Sequence, residues 1–411
     1  MVAWLLVLAL QEPPSDDWAW ARAIDEADLS WWPGDEIGFE LSGTHVWEVH
    51  AFGDEPPGLT VEDPSFRTPN HGKLHRRALD AADSVEFLHR TDLWLEGTLG
   101  PYVRLAAHGR FDRGPVSSGD SGWAGRLEQG WLEVGIAEIS GRAGKFSAPV
   151  GNFLPRHDPR TNPLISFPLP YDQMTTLRHA GDTTGMILGR RDIPDRKDWR
   201  PILWREMYGY GAMLFGSGDA WEYAAALMTL APSSWPEEWE RRPFDFVDPN
   251  LYLRGAFKPD ISTKIGASFA TGGYQKGVDG LHGGDHPQTL VGLDFAWADG
   301  DWELYAEAFR SRWETPLTDD LVAWAYYVEL RYQIQPGLYA AGRFGQIFFD
   351  EIRDAAGDRR SWDRDLTRLE LGGGYFFTRN FWVKLMGQQN ETSGGREPDD
   401  WLVSMQVGLS F

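Results

Sequence analysis

From Phe39 to its last residue the chain repeats one pattern, apolar and polar side chains alternating with a period of two. In the first such run Phe39, Leu41, Gly43, His45, Trp47, Val49 and Ala51 share one side, and Glu40, Ser42, Thr44 and Glu48 the other. Successive side chains of a strand point to opposite faces, so each run has one apolar and one wet face. The runs come in pairs across tight turns: 85–97 with 101–111, 128–136 with 139–146, 204–216 with 221–230, and 251–257 with 261–271. The pairs continue as 289–298 with 302–312, 322–332 with 338–348 and 366–377 with 381–389, before a closing run at 401–411. Asp299-Gly300, between two of these runs, is a strong hairpin dipeptide. The criterion yields about sixteen strands.

Connection lengths constrain the fold further. Tight turns alternate with long polar connections such as 313–321, 350–363 and 391–398, so all the short links fall on one side and all the long ones on the other. That asymmetry belongs to transmembrane antiparallel β-barrels, with short periplasmic turns and long extracellular loops. A propeller would show a blade repeat of about 40–45 residues, and none is visible. A soluble sandwich of this size would need two domains and a linker, and no linker stands out. The expected class is therefore all-β, a transmembrane barrel over 36–411 with one very long loop at 147–202.

Composition fits. No apolar run approaches the roughly 18 residues of a spanning helix, so any crossing is made by strands. The chain of 411 residues holds 21 Trp, 22 Phe and 13 Tyr yet is polar on average, which suits an aromatic-girdled wall around a wet lumen. A soluble, exported glycan-binding β-protein would share that pairing. The net charge of -22 argues against nucleic acid as a partner. Cysteine is absent, which says little about the compartment. Met1 to Leu10 reads as the apolar core of a secretory signal that lacks a basic start, with Val7-Leu8-Ala9 as a small-residue cleavage site. Residues 11–35 then form a periplasmic segment, with a short helix predicted over 15–29.

Alternation separates lipid from lumen. Val291, Leu293, Phe295 and Trp297, like Trp324, Tyr326, Val328, Leu330 and Tyr332, belong on the lipid side, with aromatics near strand ends forming interfacial girdles. The opposite face carries Arg90, Arg104, Arg110, Arg142, Arg205, Arg254, Lys264, Arg331, Arg343, Arg368 and Lys384. Among them stand the acids Asp92, Glu96, Glu133, Asp294, Glu303, Glu307, Glu329 and Glu370. Arg or Lys at mid-depth on a lipid face costs about 2–4 kcal/mol, so these charges belong inside, where rings of charge tune ion passage. A lumen of wall ion pairs without selective purpose would read the same way.

The 147–202 connection is long for a structureless loop, and such loops tend to be functional or disordered. Its apolar residues Phe153, Leu154, Leu164, Ile165, Phe167, Leu169 and Met174 need burial, which folding into the lumen would supply. Arg156, His157, Arg160 and Arg178 would then stand at a constriction and bias it toward anionic solutes. An external cap against other loops or a neighbouring subunit is the rival placement.

Two features resemble a known group. The closing run ends on Phe411, as the last strand of bacterial outer-membrane barrels typically does. The segment Arg142-Ala143-Gly144-Lys145-Phe146-Ser147-Ala148-Pro149-Val150-Gly151 is similar to a strand-to-loop segment of bacterial porins of the phosphate-selective type. Residues 302–307 and 327–332 are similar to strands of the same group. The resemblance implies a sixteen-stranded, often trimeric porin in the outer membrane, passing small hydrophilic solutes or ions by diffusion. Its partners would be outer-membrane lipid and those solutes, with no cofactor. A basic ladder typical of true phosphate selectivity is not evident. An outer-membrane enzyme acting on lipid or peptide is the alternative, but neither HExxH nor GxSxG occurs. His89 near Ser84, His108 near Ser117, and His157-Asp158 are unremarkable pairings. His282, Asp285 and His286 sit in a glycine-rich loop that reads as a loop, not a metal site. No catalytic or metal-binding residues are expected.

Overall fold

In the computed structural model the described residues are 30–34, 37–52, 85–113, 123–178, 199–204, 207–234, 248–274, 286–315, 319–353, 358–393 and 400–411. Sixteen strands form the wall. They are β1 (Ile37–Phe52), β2 (Val85–Leu99), β3 (Val103–Arg113), β4 (Trp123–Ile136), β5 (Ile139–Ser147) and β6 (Tyr208–Ser217). Next come β7 (Trp221–Met228), β8 (Asn250–Phe257), β9 (Thr263–Gly273), β10 (Pro287–Asp299) and β11 (Trp302–Trp313). The circuit ends with β12 (Leu321–Gln335), β13 (Leu338–Phe349), β14 (Leu366–Thr378), β15 (Phe381–Thr392) and β16 (Asp400–Ser410). Each pairs antiparallel with its sequence neighbours, and β1 pairs with both β2 and β16, so the sheet closes without an edge. Three short ladders lie beside this circuit: Ser30–Gly34 on β1, Met174–Arg178 with Trp199–Pro201, and Glu351–Arg353 with Arg359–Ser361.

The tight turns follow local chemistry. Gly100, Gly300 and Gly337 adopt positive φ where two strands must reverse in a few residues. At closure Gly43 and Phe411 exchange two backbone hydrogen bonds of 3.0 Å, and the Phe411 ring lies over Gly43, where a Cβ would strike it. The predicted closing run thus seals the barrel.

Two strand starts lie well away from the period-two reading, the other limits agreeing to within a few residues. β4 begins at Trp123, not at 128, because β4 itself carries a bulge, with 127–129 facing only His108 and Gly109 of β3, and the register shifts there. Leu127 and Leu132 therefore both point outward, although their spacing is odd, and alternation loses phase there. β6 begins at Tyr208, and Trp204, taken as strand from sequence, is fully buried in the segment before it. The expectations for residues 1–10 and 15–29 lie outside the described residues.

Burial divides the wall into two faces. Leu214 (52% exposed), Leu293 (62%) and Leu371 (61%) stand outward with Val291, Trp324, Val328, Leu330 and Leu369. Charged groups such as Asp92, Arg110, Glu307, Glu329 and Arg343 are buried on the inner face. A closed sheet, apolar outside and charged inside, is a membrane-spanning wall, since lipid leaves backbone groups no other partner. Leu293→Arg, on the lipid face of β10, is expected to lower folding stability in vesicles by about 2–4 kcal/mol. The urea midpoint measures it, and an unchanged midpoint would contradict this assignment of the outer face.

Candidate functional site in the lumen

The connection after β5 turns inward. Gly144 and Gly151, the two glycines of the 142–151 segment, explain its course. Gly144 (φ 132) presses on the Gly130–Trp131 backbone of β4, where no Cβ fits. Gly151 (φ 63) sits against the Glu307 carboxylate and the Tyr171 hydroxyl, again with no room for a side chain. The chain thereby enters the lumen and wraps Glu307. Asn152 and Phe153 donate their backbone N–H groups to Oε1 (3.0 Å from Phe153), and the Tyr171 hydroxyl donates to Oε2 (2.8 Å).

Further anchors follow along the wall. Arg156 donates to Glu329 and to the Tyr327 hydroxyl (3.0 Å) on β12, and its guanidinium lies 3.8 Å from the centroid of the Tyr305 ring. Arg343 on β13 donates to Glu329 (Nε to Oε2, 2.7 Å), Glu370 (3.2 Å), the Asn162 side-chain oxygen (3.0 Å) and the Ser166 carbonyl (3.1 Å). Ser166 donates to Glu370, and Arg368 donates to Asp172 (2.6 Å). Lys384 on β15 donates to the carbonyls of Pro159 and Asn162. Glu329 is shared by Arg156 and Arg343, so removing it leaves Arg156 without a carboxylate partner inside this buried, charge-assisted network.

Apolar packing completes the attachment. Phe153, Leu154, Phe167, Leu169, Leu177 and Ile202 through Trp204 join one buried cluster with Tyr252, Leu290, Phe309, Tyr327 and Ile347, which project inward from β8, β10, β11, β12 and β13. Leu164 and Ile165 form a second cluster with Tyr339, Met386 and Leu402. Part of the lumen is therefore filled by protein. Pro155, Arg160 and Thr161 remain exposed, and Arg156, His157 and Asp158 are half-buried, so the stretch 155–161 forms the wetted tip. His157 meets the Tyr208 hydroxyl through Nε2 (2.7 Å).

The inner face of β2 to β4 carries a separate charge network. Asp92 accepts from Arg90 (2.6 Å), Arg110 (2.8 Å) and His108 (2.7 Å). Glu128 accepts from Arg126 and lies 3.5 Å from Arg110. Trp94 stacks on His108 with centroids 3.7 Å apart. Near the short turns the wall alternates in sign: Arg142 with Glu133, Arg104 with Glu96 and Glu133, Arg254 with Asp294, Lys264 with Glu222, Arg331 with Glu303.

All the wall residues expected to line the lumen lie on the inner face except Arg205, which is outside the described residues. The side chain of Arg178 is likewise outside them. The loop arginines do not act as a set: Arg156 is bound to Glu329, while Arg160 stands exposed. Sequence reasoning missed Asn152, Asn162, Ser166, Tyr171 and Asp172, which tie the segment down, together with Arg126 and Glu128. Arg126-Leu127-Glu128 would have been found had β4 been started at Trp123, since both charges then share a face.

No protein-family model matches the chain, and no curated protein sequence matches it. Solved structures do. The chain is similar to OmpF of Salmonella typhi in a complex with daunomycin (TM-score 0.57, 10% identity, 93% of this chain and 100% of that one). It is similar to the outer membrane channel DcaP of Acinetobacter baumannii (0.56, 11%, 93% and 99%) and to an anion-selective porin from Comamonas acidovorans (0.55, 9%, 92% and 100%). At these identities the likeness is one of fold. That fold and the apolar outer band make the chain an outer-membrane β-barrel.

Proposed function

We propose that this outer-membrane barrel is a passive diffusion channel for small hydrophilic solutes and ions, narrowed by its inward segment and carrying no catalytic step. The observation that supports this most is the attachment of residues 148–172 to charged groups on β11 to β15, which leaves the tip 155–161 wetted. A segment held by buried ion pairs is a fixed part of the aperture, and solutes would be sorted by its size and charge. Arg90, Arg104, Arg110, Arg142, Arg254, Lys264, Arg331, Arg343, Arg368 and Lys384 would line the wall with Glu133, Asp294, Glu307, Glu329 and Glu370. Most of these cations have a carboxylate partner, so the wall would discriminate weakly by charge. The exposed Arg160 would add a mild preference for anions. The names of the similar channels agree with transport, and the resemblance of the 142–151 segment to porins of the phosphate-selective type is in keeping with it.

Liposome swelling tests this reading. Vesicles holding the folded protein should swell in small neutral sugars, at rates falling steeply as the sugar grows. Vesicles that swell no faster than protein-free ones would overturn it.

A further inference from the structure

Arg310 carries its charge on the outer face of the wall. Its cross-strand neighbours Val291 and Trp324 are both 47% exposed and face the lipid, whereas Phe309 and Ser311, beside it on β11, are buried inward. Among the described residues Arg310 forms no ion pair and no hydrogen bond. Its guanidinium lies 5.4 Å from the centroid of the Trp324 ring. The arginines of the inner face differ: Arg142, Arg254, Arg331 and Arg343 each hold a carboxylate.

The depth of Arg310 matches a membrane interface. It stands eight residues beyond Trp302 on β11, roughly 20 Å of height on a tilted strand, where the apolar band is about 25 Å tall. Trp302 and Tyr332, with ring centroids 4.4 Å apart, mark the short-turn end of that band, and Trp324, Tyr326 and Phe348 its long-loop end. A long cationic side chain at that level reaches the headgroups.

Hydrogen-bond donors gather above it. Arg312, next on the same face, donates to Asp320 (2.9 Å) and lies 3.7 Å from Glu314, so the uncompensated charge is that of Arg310. Thr289, opposite Arg312, shares one hydrogen bond with Thr271 (3.3 Å). That bond uses one of the two hydroxyl hydrogens and leaves the other to donate. Beneath Arg310 the outward residues of β11 are small, Ala308 and Ala306. Leu293 and Phe295 of β10 flank them on one side, Tyr326 and Val328 of β12 on the other. A furrow one strand wide thus descends from the guanidinium into the apolar band.

We propose that Arg310, with the Thr271–Thr289 hydroxyls, holds the phosphate of an acylated lipid in the long-loop leaflet, one acyl chain lying in the furrow over Ala306 and Ala308. The planar guanidinium fork matches phosphate oxygens, and an anion supplies the partner that the protein does not. The furrow selects a lipid over free phosphate, because an apolar trough continuous with the cation is filled by an acyl chain. The inference rests on the membrane-barrel assignment and does not require conduction.

Native mass spectrometry of the folded, detergent-solubilised protein tests this with two lipids of identical chains, phosphatidic acid and diacylglycerol. The wild type should retain phosphatidic acid at roughly tenfold lower concentration than diacylglycerol. Arg310→Gln should abolish that preference and Arg310→Lys, which keeps the charge without the fork, should keep part of it. Arg379→Gln, an exposed cation at the turn between β14 and β15, should leave it intact. Ala308→Phe, which fills the furrow, should weaken retention, and a large excess of inorganic phosphate should not displace the lipid. Heat-modifiable migration confirms that each variant is folded. No preference in the wild type, a preference unchanged in Arg310→Gln, or an equal loss in Arg379→Gln would overturn the proposal. Displacement by inorganic phosphate would overturn the lipid assignment. Wild-type protein that conducts but shows no lipid preference would sink this site and leave the channel reading standing. Protein that prefers the phosphorylated lipid but does not conduct would do the reverse.

Discussion

Replacing Glu329 with alanine is expected to destabilise the folded barrel by about 3–5 kcal/mol, the usual effect of removing one partner from a buried ion pair. Glu329 is fully buried and holds two guanidinium groups, Arg156 of the inward segment and Arg343 of β13. Without it Arg343 keeps Glu370 and its bonds to Asn162 and Ser166, but Arg156 is left with the Tyr327 hydroxyl and the faces of Tyr305 and Phe153 and no carboxylate. The tip should come away from β12 before the wall itself unfolds. Two readouts follow: a lower urea midpoint, and trypsin cleavage after Arg156 and Arg160 in protein whose wall is still folded. Glu329→Gln keeps the shape and one acceptor oxygen and should lose less. An alanine variant as stable and as protease-resistant as the parent would mean that this pair does not hold the segment.

The second large effect concerns the aperture. Replacing residues 155–161 by a short glycine linker removes the wetted tip but leaves the Arg343–Glu329 pair and the apolar anchors Phe153, Leu154, Leu164 and Ile165 in place. Single-channel conductance should rise severalfold, because the narrowest section dominates the resistance of a water-filled path. Any anion preference should fall as well, since Arg160 leaves with the tip. Conductance equal to that of the parent would place the limiting section elsewhere, the charge network of β2 to β4 being the next candidate.

The wall was legible because lipid on one side and water on the other impose strict alternation, and hairpin turns carry recognisable residues. It failed at β4, where a bulge breaks the phase, and at Trp204, whose apolar neighbours look like strand although they pack inside the lumen. That the long loop needs burial was legible from its apolar residues. Its attachment points were not, because single residues such as Asn162 or Tyr171 carry no pattern of their own. One signal was available. The first half of β12, Leu321-Val322-Ala323-Trp324-Ala325-Tyr326-Tyr327-Val328, is apolar on both faces, whereas its second half alternates. A strand apolar on both faces is covered on both, and Ala323, Ala325 and Tyr327 are indeed buried in the cluster formed with the inward segment. Continuous apolarity inside a barrel strand thus marks where the lumen is filled.

The most direct test is a planar-bilayer recording of the unmodified protein, first shown to be folded by its heat-modifiable migration. Discrete, lasting conductance steps, roughly linear in salt concentration, are the predicted result. Folded protein that inserts into the bilayer and leaves its resistance unchanged would contradict the account.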